Sequence, residues 1–512
     1  MSSDSPPAVG IDLGTTFSAV ARLDDTGRPI TLVNAEGDLV TPTVVLIDGP
    51  DIIVGKEAVK AMGAEAERIA ECVKRDLGRM LYKRPIDGRQ YPPEVLLAVV
   101  LKKLADDARR QIGDFSKVVV TVPAYFDEVR RKATQDAGYI AGLEVMDIIN
   151  EPTAAAVAFG FQQGFLNVEG QATAPHKVLV YDLGGGTFDV TVMEIAGNKF
   201  TALATDGDVE LGGRDWDSRI MEMVADQFKQ QHQLDPMQDQ NAAGRLWRDC
   251  EDAKRTLSVR DRATATCDFR GLALRMEITR ETFEEITADL LDRTNFTTRK
   301  TLQAAGLEWD DIERVLIVGG SSRMPMVREM LHKLSGKEPD ASVSADEAVA
   351  HGAALHAGIL LAKAQGKTPR FRIKNVNSHS LGVVGSDRKT RRPRTAFLIP
   401  RNTPLPVVAK RTFKTQRAGQ KSVVVRIVEG ESLSPEGCTA IGKCQIKNLP
   451  KDLPKESPVD VEFRYDASGR LNVTVEVAAS GQRVEQEIVR ASGLTPHHLE
   501  KWREWLKGIG PT

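Results

Sequence analysis

Residues 177–195 read KVLVYDLGGGTFDVTVMEI: an aliphatic run ending at Asp182, a glycine-rich polar turn, then a run in which apolar residues alternate. This pattern predicts two antiparallel strands joined by a tight turn. Residues 8–23, AVGIDLGTTFSAVARL, repeat the plan, with Asp12 in the place of Asp182. Two copies at long spacing predict two similar α/β lobes facing one another. Val118–Val122 and Val315–Val318 read as buried strands, the second followed directly by Gly319 and Gly320. Asp127–Ala141, Pro152–Phe161, Trp216–Gln231, Ala242–Ser258, Glu281–Ala305 and Asp346–Ala364 read as helices. Strands alternating with helices argue for an α/β fold.

After residue 366 the character changes. GKTPRFRIKNVN is polar and basic, and reads as a linker over 366–379. From Ser380 onward, short alternating runs such as SVVVRIVEG, VEFRY and RLNVTVEVA are separated by Gly, Pro and Asn turns. They predict a small antiparallel β-sandwich over 380–492. Over 493–512 a last helix is expected, capped by Thr495, with Pro496 at its first position and its end at Gly508.

The chain has 512 residues, 41% hydrophobic and 27% charged, with a net charge of -2. That length suggests about three domain-sized units, and the charge implies no global attraction to nucleic acid or membrane. No apolar stretch approaches the roughly 20 residues needed to span a bilayer. MSSDSPPAVG lacks the charged lead and apolar core of a secretory signal. Cys72, Cys250, Cys267, Cys438 and Cys444 are few and scattered, as expected of a reducing, cytoplasmic setting. Cys438 and Cys444 have the spacing to pair or bind metal, but read better as plain small residues.

No Walker P-loop is present, nor a GxGxxG after the first strand. The two hairpin turns offer another phosphate grip. In Gly14-Thr15-Thr16 and Gly184-Gly185-Gly186-Thr187, glycines let backbone N–H groups approach an anion and threonine hydroxyls add donors. Asp12 and Asp182 end matching strands and would face one cleft from opposite lobes, suiting a hydrated Mg²⁺ that takes few protein ligands. Either turn alone also fits an ordinary glycine hairpin; two copies and a third Gly-Gly favour the cleft.

IDLGTT, YDLGGGTFD and VGGSSRMPMV resemble the phosphate and adenosine motifs of the actin/hexokinase/Hsp70 superfamily, and VTVPAYF, INEPTAAA, LATDGDVELGGRDWD, CEDAKRTLS and DEAVAHGAA narrow the resemblance to Hsp70-type chaperones. The resemblance implies an actin-like ATPase with duplicated ribonuclease-H-like lobes over 1–365 (about 1–175 and 176–365), followed by the β domain. It implies a catalytic set of Lys74, which positions water and offsets γ-phosphate charge, with Glu151, Asp182, Asp189 and Thr187. Nucleotide contacts are implied at Asp12, Gly14, Thr15, Thr16, Gly184, Gly185, Gly186 and Gly213. On the adenosine side they are Glu251, Lys254, Arg255, Ser258, Gly319, Gly320, Ser321, Arg323 and Asp346. Asp12 and Asp182 would hold Mg²⁺ through water, and K⁺ is expected beside ATP or ADP. Pro123 and Arg131 resemble the family's relay between nucleotide and interdomain surface.

Extended, unfolded polypeptide clients, a J-domain co-chaperone and a nucleotide exchange factor are the implied partners. The implied function is an ATP-driven cycle of client binding and release. Other readings are a nucleotide-gated regulator with one partner, or a small-molecule kinase of the same superfamily. Several stretches depart from the family. Arg79–Pro93 is short, so an outer subdomain should be trimmed. The leucine-rich linker is replaced by Arg372-Ile373-Lys374-Asn375-Val376, which puts docking in doubt. The arch over the peptide becomes Ser386 and Gln416, with Phe413 and Val423 as apolar pocket candidates, and the long lid is expected to be reduced to the last helix. Five basic residues between Arg388 and Arg394 read best as a solvated hairpin, with acidic clients or nucleic acid as the weaker alternative.

Overall fold

In the computed structural model the described residues are 7–164, 175–369, 371–387, 390, 392–466, 470–487 and 493–509. Each hairpin opens a mixed sheet. In the first lobe, β1 (Val9–Asp12), β2 (Phe17–Leu23), β3 (Pro29–Leu32), β4 (Lys117–Val122) and β5 (Glu144–Asn150) are ordered β3-β2-β1-β4-β5. In the second, β6 (His176–Leu183), β7 (Phe188–Ala196), β8 (Lys199–Asp208), β9 (Arg314–Val318) and β10 (Arg372–Lys374) are ordered β9-β6-β7-β8-β10. The order β3-β2-β1-β4 thus recurs as β8-β7-β6-β9. In both lobes the hairpin pairs antiparallel and the next strand joins its first strand parallel. The repeat expected from two motifs is a repeat of topology.

Sheet residues such as Ile11, Val120, Val180 and Leu316 are wholly buried, as near-continuous aliphatic strands covered on both faces should be. The covering helices follow the sequence signals closely. Asp127 caps the helix Glu128–Ile140, accepting from Arg130 N–H at 2.9 Å, and Asp239 caps Gln240–Leu257. The single helix expected over Glu281–Ala305 is two, Arg280–Ile286 and Ala288–Ala304. They part at Thr287, whose hydroxyl donates back to the Phe283 carbonyl at 2.7 Å, a bond that bends helices. Pro93–Ile112, a 20-residue helix, went unread because its many buried residues blur the amphipathic period.

Two four-stranded antiparallel sheets follow. Pro393–Ile399, Leu381–Ser386, Ser422–Glu429 and Thr439–Lys447 form one; Val407–Lys414, Pro458–Tyr465, Leu471–Val477 and Gln482–Glu487 form the other. Their inner faces share a core that includes Ile427, Ile441, Val461, Phe463 and Val473. Cys444 is buried there and Cys438 half-buried, both as free thiols. Arg388, Lys389 and Arg391 of the basic run lie outside the described residues.

The linker corrects an expectation. Arg372–Lys374 is β10, adding in parallel to the free edge of β8. Ile373 leans on the lobe core while Arg372 and Lys374 point to solvent, because alternate residues of a strand face opposite ways. The two cations therefore displace nothing buried. Phe371, beside them, is buried with its ring edge-on to Phe200 at 5.6 Å. The last helix, Pro496–Lys507, is capped by Thr495 as expected and packs on the first lobe, where Trp502 and Trp505 flank Tyr91.

Candidate nucleotide cleft and interdomain relay

The two hairpin turns meet face to face. A Cβ on Gly185 would lie 2.2 Å from the Thr16 hydroxyl, and one on Gly186 2.2 Å from the Thr15 methyl. Only glycine permits that approach. The turns floor a cleft of about 540 Å³ between the lobes. Asp12, Gly14, Thr15, Thr16, Glu151, Asp182, Gly184, Gly185 and Thr187 line its inner end. Glu251, Lys254, Arg255, Ser258, Gly319, Gly320, Ser321, Arg323 and Asp346 line its outer end. Gly186 and Gly213 sit just behind: Gly213 packs on Ser321 and its carbonyl accepts from Lys254 Nζ at 2.9 Å.

The outer end is braced by charge. Asp217 holds Lys254 at 2.7 Å, Glu251 holds Arg255 at 2.6 Å, and Asp346 holds Arg323 at 2.6 Å. Asp217, Arg214 and Phe17 also line the cleft and were not singled out from sequence. Phe17, with the Arg255 guanidinium 5.4 Å from its ring, had a signal in the aromatic residue that follows the GTT turn.

At the inner end, Lys74 sits in a short 3₁₀ turn, Val73–Asp76, and is 1% exposed. It donates to Glu151 at 2.5 Å and to the Leu13 carbonyl at 2.5 Å. A lysine so deep needs such partners, since an isolated buried charge is very costly. Around this cation stand Asp12, Asp182 and Asp189. Burial, and then the charge of Glu151, push Asp12 up to about 7 and Asp189 up to about 8. Burial, Glu151, Asp189 and Asp12 hold Asp182 well above the usual carboxylate range. Thr121 donates to Asp12 at 2.8 Å, and Tyr125 N–H donates to Asp189 at 2.9 Å. Four carboxylates buried around one lysine repel one another when ionised, and a bound cation would relieve that repulsion.

The family model described as "Hsp70 protein" matches residues 8–89 and 80–505, nearly the whole chain. The chain belongs to the Hsp70 family. It is 37% identical to the "Chaperone protein DnaK" of Halobacterium salinarum over 507 residues, 98% of this chain and 78% of the relative. It is 38% identical to the proteins of that name from Thermotoga petrophila and Thermotoga maritima over 509 residues, 98% of this chain and 83% of each relative. As a DnaK-like member this Hsp70 is an ATPase and an ATP-dependent chaperone whose clients are unfolded polypeptides. Among the described residues no helix is long and apolar enough to cross a membrane.

A path leads from the cleft of this Hsp70 to its β domain. Asn150, the residue before Glu151, accepts from Arg131 Nη2 at 2.6 Å, and Arg131 also holds the carbonyls of Ala124 and Phe126. Those carbonyls belong to the turn that leaves β4 at Pro123. The end of the linker and the β domain grip the same turn and the helix that follows it. Ser378 donates to the Ala124 carbonyl, His379 bonds the Tyr125 carbonyl at 3.0 Å, and Glu128 N–H donates to Glu429 at 2.9 Å. From the other lobe, Thr205 N–H donates to Asn402 at 3.1 Å, and Asp206 pairs with Arg401 at 3.1 Å. In the β domain Gln416 Nε2 donates to the Ser386 hydroxyl at 2.9 Å. Phe413 is half-buried, and Val423 is buried within the domain core.

Proposed function

We propose that this Hsp70 hydrolyses ATP in the cleft with Mg²⁺ held by Asp12 and Asp182 through water, and that hydrolysis controls client release from residues 380–492. The cluster of Asp12, Glu151, Asp182 and Asp189 around Lys74 at the inner end of the cleft carries the reading: four carboxylates buried together about a single lysine suit a further cation. When bound, Mg²⁺ supplies positive charge that offsets the phosphate oxygens. Backbone N–H groups of the turns at Gly14–Thr16 and Gly184–Thr187 bind phosphate, with Thr15 and Thr187 adding hydroxyls. Lys74 orients the attacking water and faces the charge that develops on the γ-phosphate, while Glu151 and Asp189 accept the water's hydrogens. Phosphoryl transfer asks for little more than such positioning. Glu251, Lys254, Arg255 and Ser258 hold ribose and base against Gly319–Arg323, with Asp346 fixing Arg323. K⁺ would share the carboxylate pocket.

Residues 1–365 act as the ATPase and 366–379 as the linker. Pro123 and Arg131 carry the nucleotide signal, and Ser386, Gln416, Phe413 and Val423 contact the client. A J-domain co-chaperone, an exchange factor and a cytoplasmic setting complete the assignment. Chelation tests it. Turnover of ATP should be slow with Mg²⁺ and should disappear with EDTA, returning when Mg²⁺ is restored; hydrolysis unaffected by chelator would contradict the metal's role.

A further inference from the structure

Four charged residues fasten the cleft from both sides. The first lobe offers Glu71, which ends the strand Ile69–Glu71, and Arg75 of the turn Val73–Asp76. The second offers Arg214 and Asp215, in the first turn of the helix Gly213–His232. Arg214 Nη2 donates to Glu71 at 3.0 Å, and Arg75 donates to both oxygens of Asp215, at 3.2 and 2.5 Å. Each lobe therefore gives one cation and one anion, and the two pairs cross the gap with opposite polarity. Sliding the lobes so that neighbours exchange partners would set Arg75 against Arg214 and Glu71 against Asp215, so the arrangement resists slippage as well as opening. All four side chains are at most a quarter exposed, which limits screening by water.

Both pairs are tied into the cleft. Arg75 Nε donates to the Gly186 carbonyl of the second phosphate turn at 2.8 Å, and Asp215 accepts from Gly212 N–H at 2.8 Å. The Arg214 guanidinium stacks on Trp247, 3.8 Å from the ring centroid. The Glu71 backbone is held by the Tyr82 hydroxyl at 2.9 Å. Arg245, donating to the uncharged Gly63 carbonyl at 2.7 Å, adds a further contact across the same seam.

We propose that Glu71–Arg214 and Arg75–Asp215 form a two-way ion-pair latch that sets how fast ADP leaves, with Glu71 and Arg214 acting as positioning residues away from the reacting atoms. A nucleotide enclosed between the lobes leaves only when they part, so each pair adds to the barrier to release. The inference rests on the cleft being the nucleotide site, as proposed above. Stopped-flow release of mant-ADP from the full chain tests it. Glu71→Gln and Arg214→Gln should each speed release about tenfold, the effect of weakening a partly buried pair. The double variant should be no faster than about twice either single one, because both remove the same contact. The reversed pair, Glu71→Arg with Arg214→Glu, should recover most of the wild-type rate. Single-turnover hydrolysis of prebound ATP by Glu71→Gln should match the wild type, which a general loosening of the fold would not allow. Wild-type release from both single variants, or multiplied effects in the double one, overturns the latch. A wild-type chain that fails to bind mant-ADP overturns the cleft reading, and the latch with it.

Discussion

Truncating Lys74 removes the cation that faces Glu151 and balances three more buried carboxylates. Losing one preorganised donor at a site of this kind costs about 100- to 1,000-fold in rate, so Lys74→Ala should turn over ATP that much more slowly. ADP affinity should stay within a few-fold of the wild type, because Glu251, Lys254 and Ser258 are untouched; calorimetry beside a turnover assay separates the two effects. Full-rate hydrolysis by the variant would remove Lys74 from the mechanism. Its chemistry was legible only through resemblance. A lysine in VKRDLGR carries no sign of burial, since its partners Leu13 and Glu151 lie 61 and 77 positions away. Arg75 and Asp215, 140 positions apart, were unreadable for the same reason. The glycine turns were legible because their reason is local: a backbone that must approach an anion cannot carry a side chain.

Between elements, the contact between the helix Glu128–Ile140 and the β domain should depend on pH. Glu429 is buried against Asp127 and Glu128, with the Arg131 charge opposing theirs and Tyr465 beside it. Burial first, and then the Asp127 charge, hold its carboxyl well above the usual range. The docked state thus keeps a proton that the undocked one gives up, and docking weakens as pH rises above the ordinary carboxylate range. His379, whose pKa burial lowers, opposes this only below about 6.5. Hydrogen exchange at this interface should show docking loosening as pH rises above the ordinary carboxylate range, with a flatter profile in Glu429→Gln, which keeps the acceptor without the charge. An unchanged slope in the variant would place the titration elsewhere. At this scale the sequence served well for the sheets, the caps at Asp127 and Thr495, and the end at Gly508. It misjudged the linker because composition shows two cations but not which way a strand turns them.

Across the whole molecule, the contacts among the described residues that join ATPase, linker and β domain include β10 on the edge of β8, the Pro123–Phe126 turn on Ser378 and His379, and Asp206 on Arg401. Each reaches back to the cleft, by Arg131 and Asn150 to Glu151 or along β7 and β8 to Asp189. Two lobes hinged about a nucleotide can then hold or drop the β domain as the cleft changes state. The duplicated topology was foreseeable from two Asp-Gly hairpins; the docking between domains was not, since it rests on polar residues from distant segments with no periodic pattern. Ile373 and Phe371 are linker side chains that pack on the lobe core, and Ile373 lies at the middle of β10, so Ile373→Asp should free that strand while leaving the cleft intact. The rate at which a fluorescent extended peptide dissociates, measured by anisotropy after mixing with ATP or with ADP, tests this coupling most directly. The wild type should release peptide at least tenfold faster with ATP, which needs a coupling of only about 1.4 kcal/mol, and Ile373→Asp should release it at one rate with either nucleotide. Equal rates in the wild type would contradict a cleft that governs the β domain.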